Sequence, residues 1–202
     1  IEGESVNVRE SGELDIEGSR CELEEGIEII EFGKLLMKGS EIKSENTGIN
    51  KEGFEVMECR GSSITGINGV VIEEGIENRL EEVKIEGKQN GLLIKENGRV
   101  LMYGSEIESE GLGIGIEGGR EEIIEGLKIK AKEAMTCEGK ITLIDNEFEG
   151  KITADGINNI KIANSRIGSL VVTGLGAVGL ENSDIEGESV NVRESGELDI
   201  EG

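Results

Sequence analysis

The chain has 202 residues, of which 32 are glycine and only 2% aromatic, with no proline, histidine or tryptophan, so its core must be built from aliphatic side chains. A formal net charge of −23, with the 21 lysines and arginines scattered, argues against nucleic acid as a partner. No run of about 18 apolar residues marks a membrane span, and the lack of histidine removes imidazole bases and Ser-His-Asp triads.

The chain opens with IEGESVNVRESGELDIEG at residues 1–18, and the same 18 residues return without a difference at 185–202. An old duplication drifts, so the copy is recent, continually homogenised or engineered. We read residues 1–184 as one full repeat and 185–202 as the start of the next identical one.

Between the copies a shorter period runs. Units of about 20 residues each end in an apolar pair two residues apart followed by a turn residue. The turn residues read as Gly18, Gly39, Gly61, Gly87, Gly104, Ala131, Asp145, Asn164, Asn182 and Gly202. The pairs before them include Leu14/Ile16, Leu35/Met37, Met57/Cys59, Val83/Ile85, Val100/Met102, Leu127/Ile129 and Ile160/Ile162. A spacing of two places both side chains on one face of a strand. Gly, Asn and Asp best tolerate the left-handed backbone that a recurring bend demands. A serine follows most bends, and two residues later comes an apolar position, as at Cys21, Ile42, Ile64, Ile107 and Phe148. A third alternating stretch lies between, as in Val6/Val8, Ile27/Ile29, Leu92/Ile94 and Ile114/Ile116. Three short strands per unit with no helical stretch predict a coil whose turns stack about 4.8 Å apart.

Two predicted units are long, 62–87 and 105–131, and each precedes a short one. Their extra segments, EEGIENRLEE (73–82) and EGGREEIIEG (117–126), are expected to protrude at one corner. Ile76, Leu80, Ile123 and Ile124 are then candidates for lateral contact between neighbouring bodies.

Chemistry-bearing constellations are sparse. The five aspartates, Asp15, Asp145, Asp155, Asp184 and Asp199, are accounted for by turns and outward strand positions better than by an acid/base pair. The glycine-rich stretches GLGIGIEGG and GLGAVG open no helix and so lack the geometry of a phosphate loop. We expect no enzyme, no catalytic residue, no cofactor and no protein-bound catalytic metal. Cys21 and Cys59 fall in core columns and read as buried thiols, whereas Cys137 has no clear column and is a candidate for linking subunits. Stacked coils put like charges above one another, so interleaved Lys and Arg, or bound divalent cations, must relieve the acidic ladders.

This register resembles the right-handed parallel β-helix superfamily, the architecture of pectate lyases and many surface proteins. The likeness rests on the coil length, the left-handed turn column and the small polar run Asn146, Asn164/Ser165 and Asn182/Ser183. It implies an all-β, right-handed parallel β-helix, or β-solenoid, of about ten coils with about 20 residues and three short strands per coil. That fold hosts enzymes, adhesins and fibres alike. Neither predicted end carries a distinctive cap. The expectation is a structural protein whose repeats stack head to tail with further copies into an extracellular filament, fibre or cell-surface sheath. It resembles the tandem-repeat surface proteins of archaea and bacteria. An adhesin stalk or carbohydrate-binding surface module is the alternative, with a polysaccharide lyase or hydrolase behind it.

Overall fold

The structure is a computed structural model describing the chain apart from residues 76–77, 96–97, 156–158, 175–176, 188–189, 194–196 and 202; of 119–121 the backbone alone is described. The chain is all-β, with no helix among the described residues, and winds as a parallel β-solenoid of about nine turns with roughly 21 residues per turn.

Each alternating stretch stacks on its counterpart one turn away. The first sheet carries the inward column Cys21, Ile42, Ile64, Ile85, Ile107, Ile129, Phe148, Ile167 and Ile185. In the second, Val8, Ile29, Lys51, Ile72, Ile94, Ile116, Cys137, Ala154, Val172 and Val192 follow one another. The third stacks Ile16, Met37, Cys59, Leu80, Met102, Ile124, Leu143, Ile162, Leu180 and Ile200. Nearly all of these side chains are buried between the sheets. At about 1.5–3 kcal/mol for each large aliphatic side chain removed from water, this continuous column is the dominant favourable term.

The bend recurs once per turn in the left-handed region, at Gly18, Gly39, Gly61, Glu82, Gly104, Gly126, Asp145, Asn164 and Asn182, with φ between 45° and 65°. Two of these nine correct the reading of the sequence. The bends fall at Glu82 and Gly126, whereas Gly87 and Ala131 lie within strands. Turn spacing is therefore 18 to 22 residues throughout, and the alternation of long and short units disappears. Among the described residues of 73–82 and 117–126 no protruding corner forms: Asn78–Glu81 is a third-sheet strand, and Glu122, Ile123 and Ile124 pair in register with Ile141, Thr142 and Leu143. Val83/Ile85 and Leu127/Ile129 open the first sheet of their coils instead of closing the third.

A side-chain ladder locks the bend. Ser19, Ser40, Ser62, Ser105, Ser165 and Ser183 each donate from the hydroxyl to the carbonyl two residues back, across the bend residue. The same oxygens of Ser40, Ser62, Ser105, Ser165 and Ser183 accept the backbone N–H of the equivalent residue in the preceding coil, at 3.1 to 3.2 Å. Asn146 takes the same place, its Oδ1 accepting from the Leu127 N–H at 2.8 Å. These bonds satisfy backbone donors at a corner where the strand ladder is interrupted.

Among the described residues, three polar side chains take positions in the core columns. Lys51 is fully buried between Ile29 and Ile72, with its ammonium donating to the Gly53 carbonyl, and burial pulls it down to about 8. Asn78 and Glu122 occupy third-sheet positions where other coils place Leu, Met, Ile or Val. Glu122 Oε2 accepts the Val100 N–H at 2.6 Å, and Asn78 Nδ2 donates to the Arg99 carbonyl at 2.9 Å.

Candidate assembly surfaces

Outward positions alternate with the core column on every strand, so each outward residue meets its counterpart about 4.8 Å away in the next coil. Beside the first core column this produces the sequence Arg20, Glu41, Ser63, Lys84, Glu106, Lys128, Glu147, Arg166 and Asp184. The sign alternates at every step that involves two charges. Ion pairs across coils follow from it, including Arg20 with Glu41 at 3.5 Å and Arg166 with Glu147 at 3.1 Å. Elsewhere Lys34 meets Glu13 at 2.8 Å, Lys38 meets Glu17 at 3.3 Å and Lys95 meets Glu73 at 2.7 Å. Each such exposed pair is worth about 0.2–1 kcal/mol. Together they offset part of the axial repulsion in a strongly acidic chain, in which Glu86 also lies on Glu108 and Glu117 on Glu138.

The candidates for lateral contact separate. Leu80 and Ile124 have no exposed surface and belong to the third core column, so they cannot form a lateral surface. Cys137 is likewise buried, in the second core column between Ile116 and Ala154, and desolvation pushes its thiol up to about 12. That places it with Cys59, pushed up to about 12, and Cys21, also raised, as an inert core thiol and removes it as an intersubunit link. Ile123 points outward and is half-buried, pairing with Leu101 on one side and Thr142 on the other. Ile76 lies outside the described residues.

One apolar feature escaped the sequence reading. Phe32 and Phe54 stand 57% and 55% exposed at the same corner of successive coils, where the Phe54 N–H bonds the Glu31 carbonyl at 2.9 Å. The strand alternation gives no signal there, because both residues sit in the loop between the second and third sheets.

The two copies of the 18-residue segment form the two ends. The strand Glu13–Glu17 pairs with Lys34–Lys38, placing Leu14 on Leu35 and Ile16 on Met37. Its copy, Glu197–Glu201, pairs with Ala177–Glu181, placing Leu198 on Val178 and Ile200 on Leu180. Among the described pairings each of these strands has a partner on one side only. Val190, Val192 and Ile200 are 44%, 40% and 63% exposed at the second end.

The concavities are grooves on the outer wall, such as the one lined by Thr65, Glu86, Lys88, Glu108 and Lys130. No helix among the described residues is long and apolar enough to cross a membrane. No protein-family model, no curated protein and no solved structure matches the chain.

Proposed function

We propose that the chain is part of a structural protein that builds an extracellular filament, fibre or cell-surface sheath by continuous stacking of β-solenoid repeats. It acts through its body and not through catalysis, like the tandem-repeat surface proteins of the right-handed β-helix type that the sequence resembles. The observation that carries the reading is the identity of residues 1–18 and 185–202 together with their register. Leu198 and Ile200 stack on Val178 and Leu180 in the columns where Leu14 and Ile16 stack on Leu35 and Met37. Joining the two halves at the shared sequence gives an unbroken column from one repeat into the next. In this reading residues 1–184 are one repeat and the partner is a further repeat of the same kind.

Electron microscopy of the native material tests this. Filaments or hoops with an axial period of nine coils, roughly 43 Å, are expected. Isolated rods carrying a distinct terminal head would replace the reading with an adhesin stalk. The exposed Phe32 and Phe54 at one corner favour that second reading, since exposed aromatic side chains suit sugar rings.

A further inference from the structure

The charges along the last described coil discriminate between the coils that could stack on it. Were a second coil of the same sequence to stack there in the solenoid register, Glu186 would lie over Glu2, Glu197 over Glu13, Asp199 over Asp15 and Glu201 over Glu17. Every one of these contacts sets like charge on like at strand spacing, which is destabilising. The coil that follows residues 1–18 within the chain differs at three of these four places: Lys34 and Lys38 lie on Glu13 and Glu17 and Leu36 on Asp15, while Glu22 keeps like charge on Glu2. Lys34 and Lys38 of that coil bridge Glu13 and Glu17, at 2.8 and 3.3 Å, and Glu28 meets Arg9 at 3.6 Å. Because 185–202 repeats 1–18, the same three contacts are available to Glu197, Glu201 and Arg193. The alternating column agrees. Glu2 pairs with Glu22, so the residue two places before Glu186, Asp184 just ahead of the second copy, would face an arginine of the Arg20 type. Arg166 already lies on its other side.

We infer that the face exposing Val190, Val192 and Ile200 is a docking surface for a coil of sequence 19–39 from the following repeat, and that it repels another copy of its own sequence. The junction between repeats is thereby directional. Repeats join only in continuous order, and blunt stacking of one 202-residue body on another is opposed by the duplicated coil. The inference rests on the stacked-repeat reading and adds the identity of the contact.

The test compares the native chain with E197Q/E201Q and E197K/E201K by sedimentation at low and high salt. In the lysine variant position 201 gains Glu181 as an opposite neighbour and position 197 faces Ala177, so the coil keeps its place on the body. End-to-end association is expected to rise in the order native, glutamine, lysine, with about ten-fold between the extremes at low salt. The difference should shrink at high salt, where exposed charges are screened. The glutamine variant preserves side-chain shape and carries the comparison if the lysine variant folds poorly. A native chain that stacks as tightly as the lysine variant would overturn the inference while leaving the stacked-repeat reading standing. A second measurement extends the native chain by one coil, either 19–39 or another copy of 1–18. Hydrogen exchange at Glu197–Glu201 should slow at least ten-fold with the first extension and much less with the second. Equal protection by both sinks the inference. Native material without axial stacking sinks the underlying reading instead.

Discussion

The two copies of one 18-residue sequence differ in burial although each has a single neighbouring coil. Val8 and Ile16 are 6% and 3% exposed, whereas their counterparts Val192 and Ile200 are 40% and 63% exposed. Sequence is constant, so the difference comes from the side on which the neighbour lies. The first copy is covered by the coil that follows it, and the second by the coil that precedes it. At Val8 and Ile16, therefore, most of the cover comes from the next coil along the chain, whereas Leu14 and Leu198 are both half-buried. Ile1, at the chain's first position, runs the other way at 61% exposure. The first and last described coils therefore expose different core positions, Ile1 in one and Val190, Val192 and Ile200 in the other.

The sharpest way to break that comparison is to truncate the same residue in three settings. Ile162→Ala in the middle of the stack, covered from both sides, is expected to cost about 2–5 kcal/mol in a urea titration. Ile16→Ala should come close behind. Ile200→Ala should cost less than about 1 kcal/mol, because its side chain already meets water. Equal losses for Ile16→Ala and Ile200→Ala would refute the one-sided cover.

A smaller effect is expected at Lys51, which occupies the column that runs from Val8 to Val192. Glu55 and Glu74 help to hold its charge, but desolvation dominates and brings it to about 8. The unfolded lysine titrates near 10.4. Between these values the unfolded state binds more protons than the folded one, so stability should rise with pH from about 8 to about 10.4. Below pH 8 both states carry the charge and the folded state bears the whole cost of burying it. Lys51→Met should flatten this dependence and stabilise the chain at neutral pH by roughly 1–2 kcal/mol. Urea titrations at pH 7 and pH 10 check both statements, and an unchanged slope in the variant would remove Lys51 as its source.

The same column logic explains what could be read in the sequence. Coils with Gly, Asn or Asp at the bend, serine after it and aliphatic residues in the core announce themselves, and the architecture follows from them. Between residues 62 and 131 three of these signs fail together. Glu82 takes the left-handed bend without being Gly, Asn or Asp, Val83 and Leu127 stand where serine is expected, and Asn78 and Glu122 interrupt the apolar third sheet. Gly87 and Ala131, each two residues after a first-sheet isoleucine, then imitate bends. A register set by these false bends is displaced by one strand and puts the buried Leu80 and Ile124 at the surface. The same displacement hides the column of Cys137, which emerges only with the bend at Gly126. The alternating charges were hidden for a different reason: they are 18 to 22 residues apart, and a varying turn length conceals such a pattern until backbone pairing fixes the register.

The smallest expected effect sharpens the comparison at the N-terminal end. If the following coil supplies both cover and charge, weakening its charge alone should loosen residues 1–18 without unfolding the rest. Lys34→Gln and Lys38→Gln each remove one exposed ion pair, with Glu13 and Glu17, and together should weaken the attachment of the first coil by about 0.5–1 kcal/mol. Hydrogen exchange at Glu13–Glu17 should then quicken about two- to five-fold at low salt, while exchange at Asn159–Ala163 stays unchanged. High salt should erase most of the difference, because the lost interactions are exposed to solvent. Apolar cover from Leu35 and Met37 on Leu14 and Ile16 remains in the variant, so the coil should stay docked. Complete loss of protection there would mean that charge, and not cover, holds the first coil in place.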